Sequence, residues 1–214
     1  MIQICRNKVI LTGKHAFSPE RTFLCGQCFR FEVCEDGSFS CIAGEKRIKA
    51  RSFGKRTELI CKAEDFESFW REYFDLDRDY EQIDAAIGHD EFLKKCLEFG
   101  RGIRILHQQP WEALCSFIIS QCNNIPRIKK IINALCTLYG QETKFGYLFP
   151  PPERLAGKSP GELAPQRAGY RAAYLISAAN DVVSGRINLD KLKDKSIPSE
   201  TGRAELMELC GVGR

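Results

Sequence analysis

No stretch of this 214-residue chain reaches the run of roughly eighteen apolar residues that a helix needs to cross a bilayer. The first residues, Met1 to Lys14, also lack the apolar core of a secretion signal. Both absences point to a soluble, unsecreted protein. Histidine is scarce, and His15, His89 and His107 form no metal-ligand spacing. Cysteine is plentiful at eleven, but only Cys25 and Cys28 make a short-spaced pair, and Cys34 and Cys41 fall on expected paired strands. Structural zinc sites usually combine two such pairs, so no metal and no cofactor is expected. The remaining thiols sit in apolar settings, such as Cys115 and Cys136, and read as reduced small hydrophobes in a reducing cytoplasm. Repeats and low-complexity tracts are absent, which excludes solenoids and disordered tails. A net charge of only +4 permits a nucleic-acid partner without requiring one.

With 43% hydrophobic and 28% charged residues, the chain can form one large or two small units with real cores. Two periodicities divide it. Between Cys28 and Ala63 short alternating segments are separated by Asp36-Gly37, Gly44 and Gly54, which predicts an antiparallel meander with a hairpin at Asp36-Gly37. Ile2 to Ile4 and Val9 to Leu11 can add strands. From Ala63 onward the period becomes helical. Phe66, Phe69, Trp70 and Tyr73 share one face of a first helix, and a second covers Glu91 to Glu98.

After Pro110 the residues Trp111, Leu114, Cys115, Ile118, Ile119 and Cys122 form an apolar stripe on the clearest helix. This pattern breaks at Asn123-Asn124 and restarts with Pro126 in a new first turn, ending at Gly140. A short helix is expected at Ser159 to Leu163 and a longer one closed by Gly185. A last helix, capped by Ser199, runs to Cys210. The second half is expected to be all helix. The fold class is therefore α+β: an antiparallel sheet domain with flanking helices over 1–107, then an all-α domain over 108–214.

Three places carry candidate chemistry. In the final turn, Gly211-Val212-Gly213 can expose backbone N–H groups to a phosphate oxygen, although from the fragment alone an ordinary glycine helix cap is the favoured reading. At the asparagine corner, capping accounts for one of Asn123 and Asn124, while Arg127 in a first turn opposes the helix dipole and calls for an outside partner such as a phosphate or base edge. Around Gly169, Tyr170 offers a flat ring and Arg171 a five-donor fork; the bland alternative is a core tyrosine beside a solvated arginine.

In order along the chain, "CGQCFRFE" at 25–32, "GIRILHQQPWEALCSFIISQCNNIPRIKKII" at 102–132, "GYRAAY" at 169–174 and "LCGVG" at 209–213 resemble the bacterial 8-oxoguanine DNA glycosylases of the helix-hairpin-helix superfamily. The resemblance covers essentially the whole chain. It implies a twisted antiparallel sheet domain followed by a hairpin-bearing helical domain, with the lesion base in a pocket between them. Gly26 resembles the glycine whose carbonyl accepts the N7 hydrogen of 8-oxoguanine. Arg127 and Arg171 resemble the arginines that hold the orphaned cytosine, Tyr170 the ring wedged beside it, and Asn123 the second of two stack-filling asparagines; Cys122 stands where the first is expected. Gly211, Val212 and Gly213 resemble the phosphate-holding hairpin.

The implied reaction is excision of 8-oxoguanine opposite cytosine, followed by strand cleavage through a lysine Schiff base. The pattern Gly-Val-Gly-x-Lys places that lysine immediately after Arg214, with its supporting aspartate further on. The chain is therefore expected to be truncated within the hairpin and inactive alone. The expected partner is double-stranded DNA bearing an 8-oxoguanine:cytosine pair, met by a monomer with no membrane association. The competing reading is a non-catalytic DNA-binding module of the same helix-hairpin-helix type.

Overall fold

The computed structural model describes residues 1–194 and 196–213, and the chain divides into two compact units, Met1–Gln108 and Gln109–Arg214. In the first unit the alternating segments pair into one six-stranded antiparallel sheet, ordered β1-β2-β6-β5-β4-β3. Its strands are β1 (Ile2–Cys5), β2 (Lys8–Thr12), β3 (Phe31–Val33), β4 (Phe39–Ala43), β5 (Lys46–Phe53) and β6 (Arg56–Ile60). Register places Phe39 opposite Ala50, Cys41 opposite Ile48 and Ala50 opposite Leu59, so alternate residues of neighbouring strands enter one core. The Asp36-Gly37 hairpin forms as expected: Gly37 sits at φ +74°, and Asp36 Oδ1 accepts from the Ser38 amide at 3.2 Å.

Helix α1 (Pro19–Leu24), capped by Ser18, carries Phe23 onto the sheet, where its ring lies 5.5 Å from Phe31 and 5.7 Å from Phe39. The helix expected from Ala63 onward is interrupted. A short α2 (Ala63–Asp65) passes through a π-helical turn, Phe66–Trp70, into α3 (Arg71–Tyr73), and Phe66, Trp70 and Tyr73 remain buried. Helix α4 (Tyr80–Ile87), which the apolar periodicity does not reveal, starts at Asp79, whose side chain accepts from the amides of Glu81 and Gln82. Helix α5 (Glu91–Gly100) follows.

The second unit is built on α6 (Pro110–Ser120), α7 (Ile125–Tyr139), α8 (Arg171–Val183) and α9 (Ser199–Met207). Leu114, Cys115, Ile118 and Ile119 of α6 are buried, as are Ile128, Ile131, Ile132, Leu135 and Cys136 of α7, and Leu175, Ile176, Ala178 and Ala179 of α8. Four expectations are corrected here. Cys122 leaves the apolar stripe, because α6 ends at Ser120 and Cys122 is exposed at φ +47°. Ser159 to Leu163 form hydrogen-bonded turns that lead into a 3-10 turn, Ala164–Gln166; with proline and glycine adjacent, no α-helix nucleates. Ser199 is the first residue of α9, which makes no side-chain cap and stops at Met207. The unit is also not purely helical, since β7 (Glu142–Thr143) and β8 (Gly146–Tyr147) form a small hairpin.

Candidate nucleic-acid interface

The corner between α6 and α7 brings together most of the residues expected to meet DNA. Asn124 is the N-cap of α7, its side chain accepting from the Arg127 amide at 3.0 Å. Asn123 works on the other side of the corner. Its Nδ2 donates to the Ile119 carbonyl near the end of α6 at 3.0 Å, and its Oδ1 accepts from the Asn124 amide at 3.0 Å. Capping thus engages both asparagines rather than one. Arg127 is exposed, with Nη2 donating to the Arg167 carbonyl at 3.3 Å. The single exposed carbonyl leaves most of its five donors for other groups.

The start of α8 approaches the same corner. Gly169 turns the chain at φ +63°, and Tyr170 stands at the helix entrance with about half of its surface open to solvent. Its ring packs edge-on to Tyr174 at 5.6 Å, and the Arg171 guanidinium lies 4.5 Å from its centroid. Arg171 is buried, not solvated. Its Nε donates to the Gln121 carbonyl at 3.0 Å and its Nη2 to the same oxygen, with Nη2 also 3.2 Å from the Cys122 carbonyl and Nη1 3.4 Å from that of Ala168. A cation placed on the carbonyls past the last turn of α6 also suits the negative end of that helix.

The Gly-Val-Gly turn completes the group. Gly211 adopts φ +86°, and a β-carbon built on it would lie 2.4 Å from Cδ2 of Tyr174, so backbone and ring together demand glycine. Leu209 is buried, the Val212 amide donates to its carbonyl at 3.0 Å, and Gly213 is exposed. Arg214, the fourth residue of the expected pattern, lies outside the described residues. One residue missed by the sequence reading joins these parts: Gln121, whose side-chain Nε2 donates to the Gly211 carbonyl while its own carbonyl receives Arg171 and, at 3.5 Å, the Tyr170 hydroxyl. No local signal marks it, because its partners lie 49 to 90 positions away.

Gly26 belongs to the first unit. There α1 ends, Cys25 stays in the helical region, and Gly26 turns out at φ +88° with open space around it, so the backbone conformation and not crowding selects glycine. The next residue, Gln27, fastens this turn to the extended segment that follows α5. Its Nε2 donates to the carbonyls of Thr22 at 3.0 Å and Arg104 at 2.8 Å, its Oε1 accepts from the Leu106 amide at 2.9 Å, and its carbonyl accepts from Gln108 Nε2 at 2.6 Å. Arg104 steadies that segment from beneath. Its buried guanidinium lies 4.2 Å from the centroid of the Tyr80 ring and donates to the Lys14 carbonyl at 2.5 Å. Burial pulls the Arg104 guanidinium below its usual pKa, opposed by Tyr80 and by the carboxylates of Asp75 and Asp84.

An Archaeoglobus fulgidus 3-methyladenine DNA glycosylase shares the fold, with a TM-score of 0.70 at 19% identity over 96% of this chain and 75% of its own. Residues 9–114 match the 8-oxoguanine DNA glycosylase N-terminal domain family. The Clostridium acetobutylicum 8-oxoguanine glycosylase/lyase is 36% identical, with a TM-score of 0.92 over 100% of this chain and 76% of its own. A structure of MBOgg1 with a low affinity DNA ligand is 41% identical, with a TM-score of 0.89 over 100% of this chain and 75% of its own. The N-glycosylase/DNA lyase of Saccharomyces cerevisiae is 37% identical over a 127-residue match that covers 53% of this chain and 34% of the yeast protein. The chain belongs to the 8-oxoguanine DNA glycosylase family of the helix-hairpin-helix superfamily. It spans between a third and two-fifths of the curated yeast and Arabidopsis thaliana relatives it matches, 34% and 40% of their lengths.

Proposed function

We propose that the protein acts in base-excision repair of DNA, removing 8-oxoguanine paired with cytosine and then cutting the strand as an AP lyase. The observation that carries this reading is the assembly around Gln121: Tyr170, Arg171 and the Gly211 turn all bond to one residue at the α6–α7 corner, with Asn123 and Arg127 on the same corner. The names of relatives support it. The yeast and Arabidopsis proteins are N-glycosylase/DNA lyases, and the Clostridium enzyme has been solved with double-stranded DNA carrying cytosine opposite 8-oxoguanine.

In this reading flipping a base costs about a few kcal/mol, offset by filling the emptied stack. Tyr170 supplies the flat ring, Asn123 a polar edge, and Arg127 and Arg171 the donors for the unpaired cytosine, which presents acceptors on its pairing edge. Arg171 reaches it by giving up its weakest carbonyl contact, that to Ala168 at 3.4 Å. With the Val212 amide engaged by Leu209, the N–H groups of Gly211 and Gly213 hold a backbone phosphate. The Gly26 carbonyl accepts the N7 hydrogen that 8-oxoguanine carries and guanine lacks, and a site built for one hydrogen bond rejects the base without it.

The nucleophile in this reading is the lysine of the Gly-Val-Gly-x-Lys pattern that Gly211 opens, supported by an aspartate. Its neutral amine bonds to the sugar C1′ as the N-glycosylic bond breaks and the electron pair leaves with the base. Opening of the C1′–O4′ bond, with O4′ taking a proton from the nitrogen, gives a protonated imine, and loss of a C2′ proton from it then expels the 3′ phosphate. We place the protein in the bacterial cytoplasm as a monomer acting on chromosomal DNA.

Borohydride trapping tests this. The polypeptide from the full reading frame should form a covalent adduct with an 8-oxoguanine:cytosine duplex, and the 214-residue chain should not. No adduct and no strand cleavage by the longer polypeptide overturns the reading; an adduct with the 214 residues alone moves the nucleophile elsewhere.

A further inference from the structure

We propose that Gln27 is a positioning residue for lesion selectivity, acting through the direction in which it holds the Gly26 carbonyl. The inference rests on the reading that this carbonyl accepts the lesion's N7 hydrogen. Gly26 is exposed and at φ +88°, and glycine has the widest choice of backbone angles, so nothing in residue 26 itself fixes where its carbonyl points. Among the described residues no hydrogen bond reaches that oxygen. Its direction is decided by the peptide plane shared with residue 27.

Gln27 is clamped through its side chain and through its own carbonyl. Its amide group uses both N–H hydrogens on carbonyls, Thr22 within α1 and Arg104 in the extended segment, and its Oε1 takes the Leu106 amide. Its own carbonyl is held at 2.6 Å by Gln108 Nε2. The anchors come from both sides of the turn: Thr22 lies one turn before it, and residues 104–108 lie some eighty positions later. These bonds to two separate segments fix the Cα of residue 27, one end of the Gly26–Gln27 plane, so any tilt of that plane that carries residue 27 with it must break them. A glutamate at 27 cannot donate to the Thr22 and Arg104 carbonyls when ionised, and a methionine can neither donate nor accept.

A fixed acceptor is what discrimination by one hydrogen bond needs. If the plane can tilt, the carbonyl turns from the N7 lone pair of guanine and the penalty against the undamaged base shrinks. Opposite-base selectivity is read by residues of the second unit and should not follow. The two selectivities thus separate a positioning role from a general loss of fold.

The test uses the polypeptide from the full reading frame and four duplexes: 8-oxoguanine:cytosine, guanine:cytosine, 8-oxoguanine:adenine and guanine:adenine. Single-turnover excision rates are measured for the parent protein, Gln27→Met and the milder Gln108→Leu, which removes only the bond to the Gln27 carbonyl. We expect the preference for 8-oxoguanine over guanine to fall by about tenfold in Gln27→Met and by a smaller factor in Gln108→Leu, the range left by losing one directional hydrogen bond. The preference for cytosine over adenine opposite the lesion should stay within about twofold of the parent, the scatter allowed to distant, uncoupled sites. Equal falls in both preferences, or no change in either in the two variants, overturns the proposal. Should Gln27→Met fail to fold, Gln108→Leu decides alone. A parent protein that excises guanine as fast as 8-oxoguanine overturns the Gly26 reading itself, and the proposal with it.

Discussion

The ring of Tyr174 occupies the space a β-carbon on residue 211 would need, leaving 2.4 Å between that position and Cδ2. The same ring meets Tyr170 edge-on at 5.6 Å. One tyrosine on α8 therefore sets both the close approach of the Gly-Val-Gly turn and the stance of the exposed aromatic at the helix entrance. Substituting Gly211→Ala adds a steric conflict to a φ of +86° that L-residues resist. We expect a loss of about 1–3 kcal/mol in stability, seen as a lower urea midpoint, together with weaker duplex binding.

Removing the donor of Gln121 should separate binding from stability. Gln121→Met preserves length and apolar packing, and leaves the main-chain carbonyl that receives Arg171. The tether to Gly211 is lost. Fluorescence titration with an abasic-site duplex should show an affinity about tenfold lower, whereas one hydrogen bond at a half-buried site should change unfolding by only about 1 kcal/mol. An unchanged affinity would show that the turn is held by Tyr174 alone.

Cys122 occupies the left-handed region at φ +47°, where asparagine is better tolerated than cysteine. Its side chain is exposed, so exchange for asparagine loses no core packing. Cys122→Asn is expected to stabilise the protein by up to about 1 kcal/mol in chemical denaturation, by relieving part of the backbone cost. A lower midpoint would mean that the thiol makes a contact worth more than the strain.

Acid should weaken the sheet unit through Glu58. Lys8 first, then Arg51, hold this carboxyl below its usual range, with contacts of 2.6 Å and 2.7 Å. A carboxylate whose folded pKa is depressed adds stability that is complete above its unfolded value near 4.5 and is lost as pH falls toward the folded one. Glu58→Gln should therefore be less stable than the parent near neutrality and converge with it in acid. Thermal unfolding from neutral pH down to about pH 3, where model carboxylates are mostly protonated, measures this.

Thiol chemistry distinguishes buried from open cysteines. Burial raises the Cys61 thiol to about 12 and holds Cys115 well above its usual value, so neither offers thiolate at neutral pH. Alkylation of the folded protein should label Cys5, Cys25, Cys96, Cys122 and Cys210, which are exposed, and reach Cys61 and Cys115 only on unfolding. Mass mapping of the modified peptides reads the outcome.

The sequence by itself determined the change of period near Ala63, the Asp36-Gly37 hairpin, the Asn123-Asn124 break and the glycines at 26, 169 and 211. Each is fixed by local rules: side-chain alternation, helix spacing, or a backbone angle that glycine or asparagine accepts. The order of four short motifs was also legible, and with it the family. Local rules also misled, placing Cys122 on a core stripe that had already ended and a helix at Ser159 to Leu163. What only the tertiary structure decided are the long-range bonds. Gln27 reaches residues 77 and 79 positions away, Gln121 reaches Gly211 across 90, and Arg171 turns inward onto carbonyls 49 and 50 positions earlier. A glutamine or arginine carries the same donors wherever it stands, and its partner is set only when packing brings a distant carbonyl within reach.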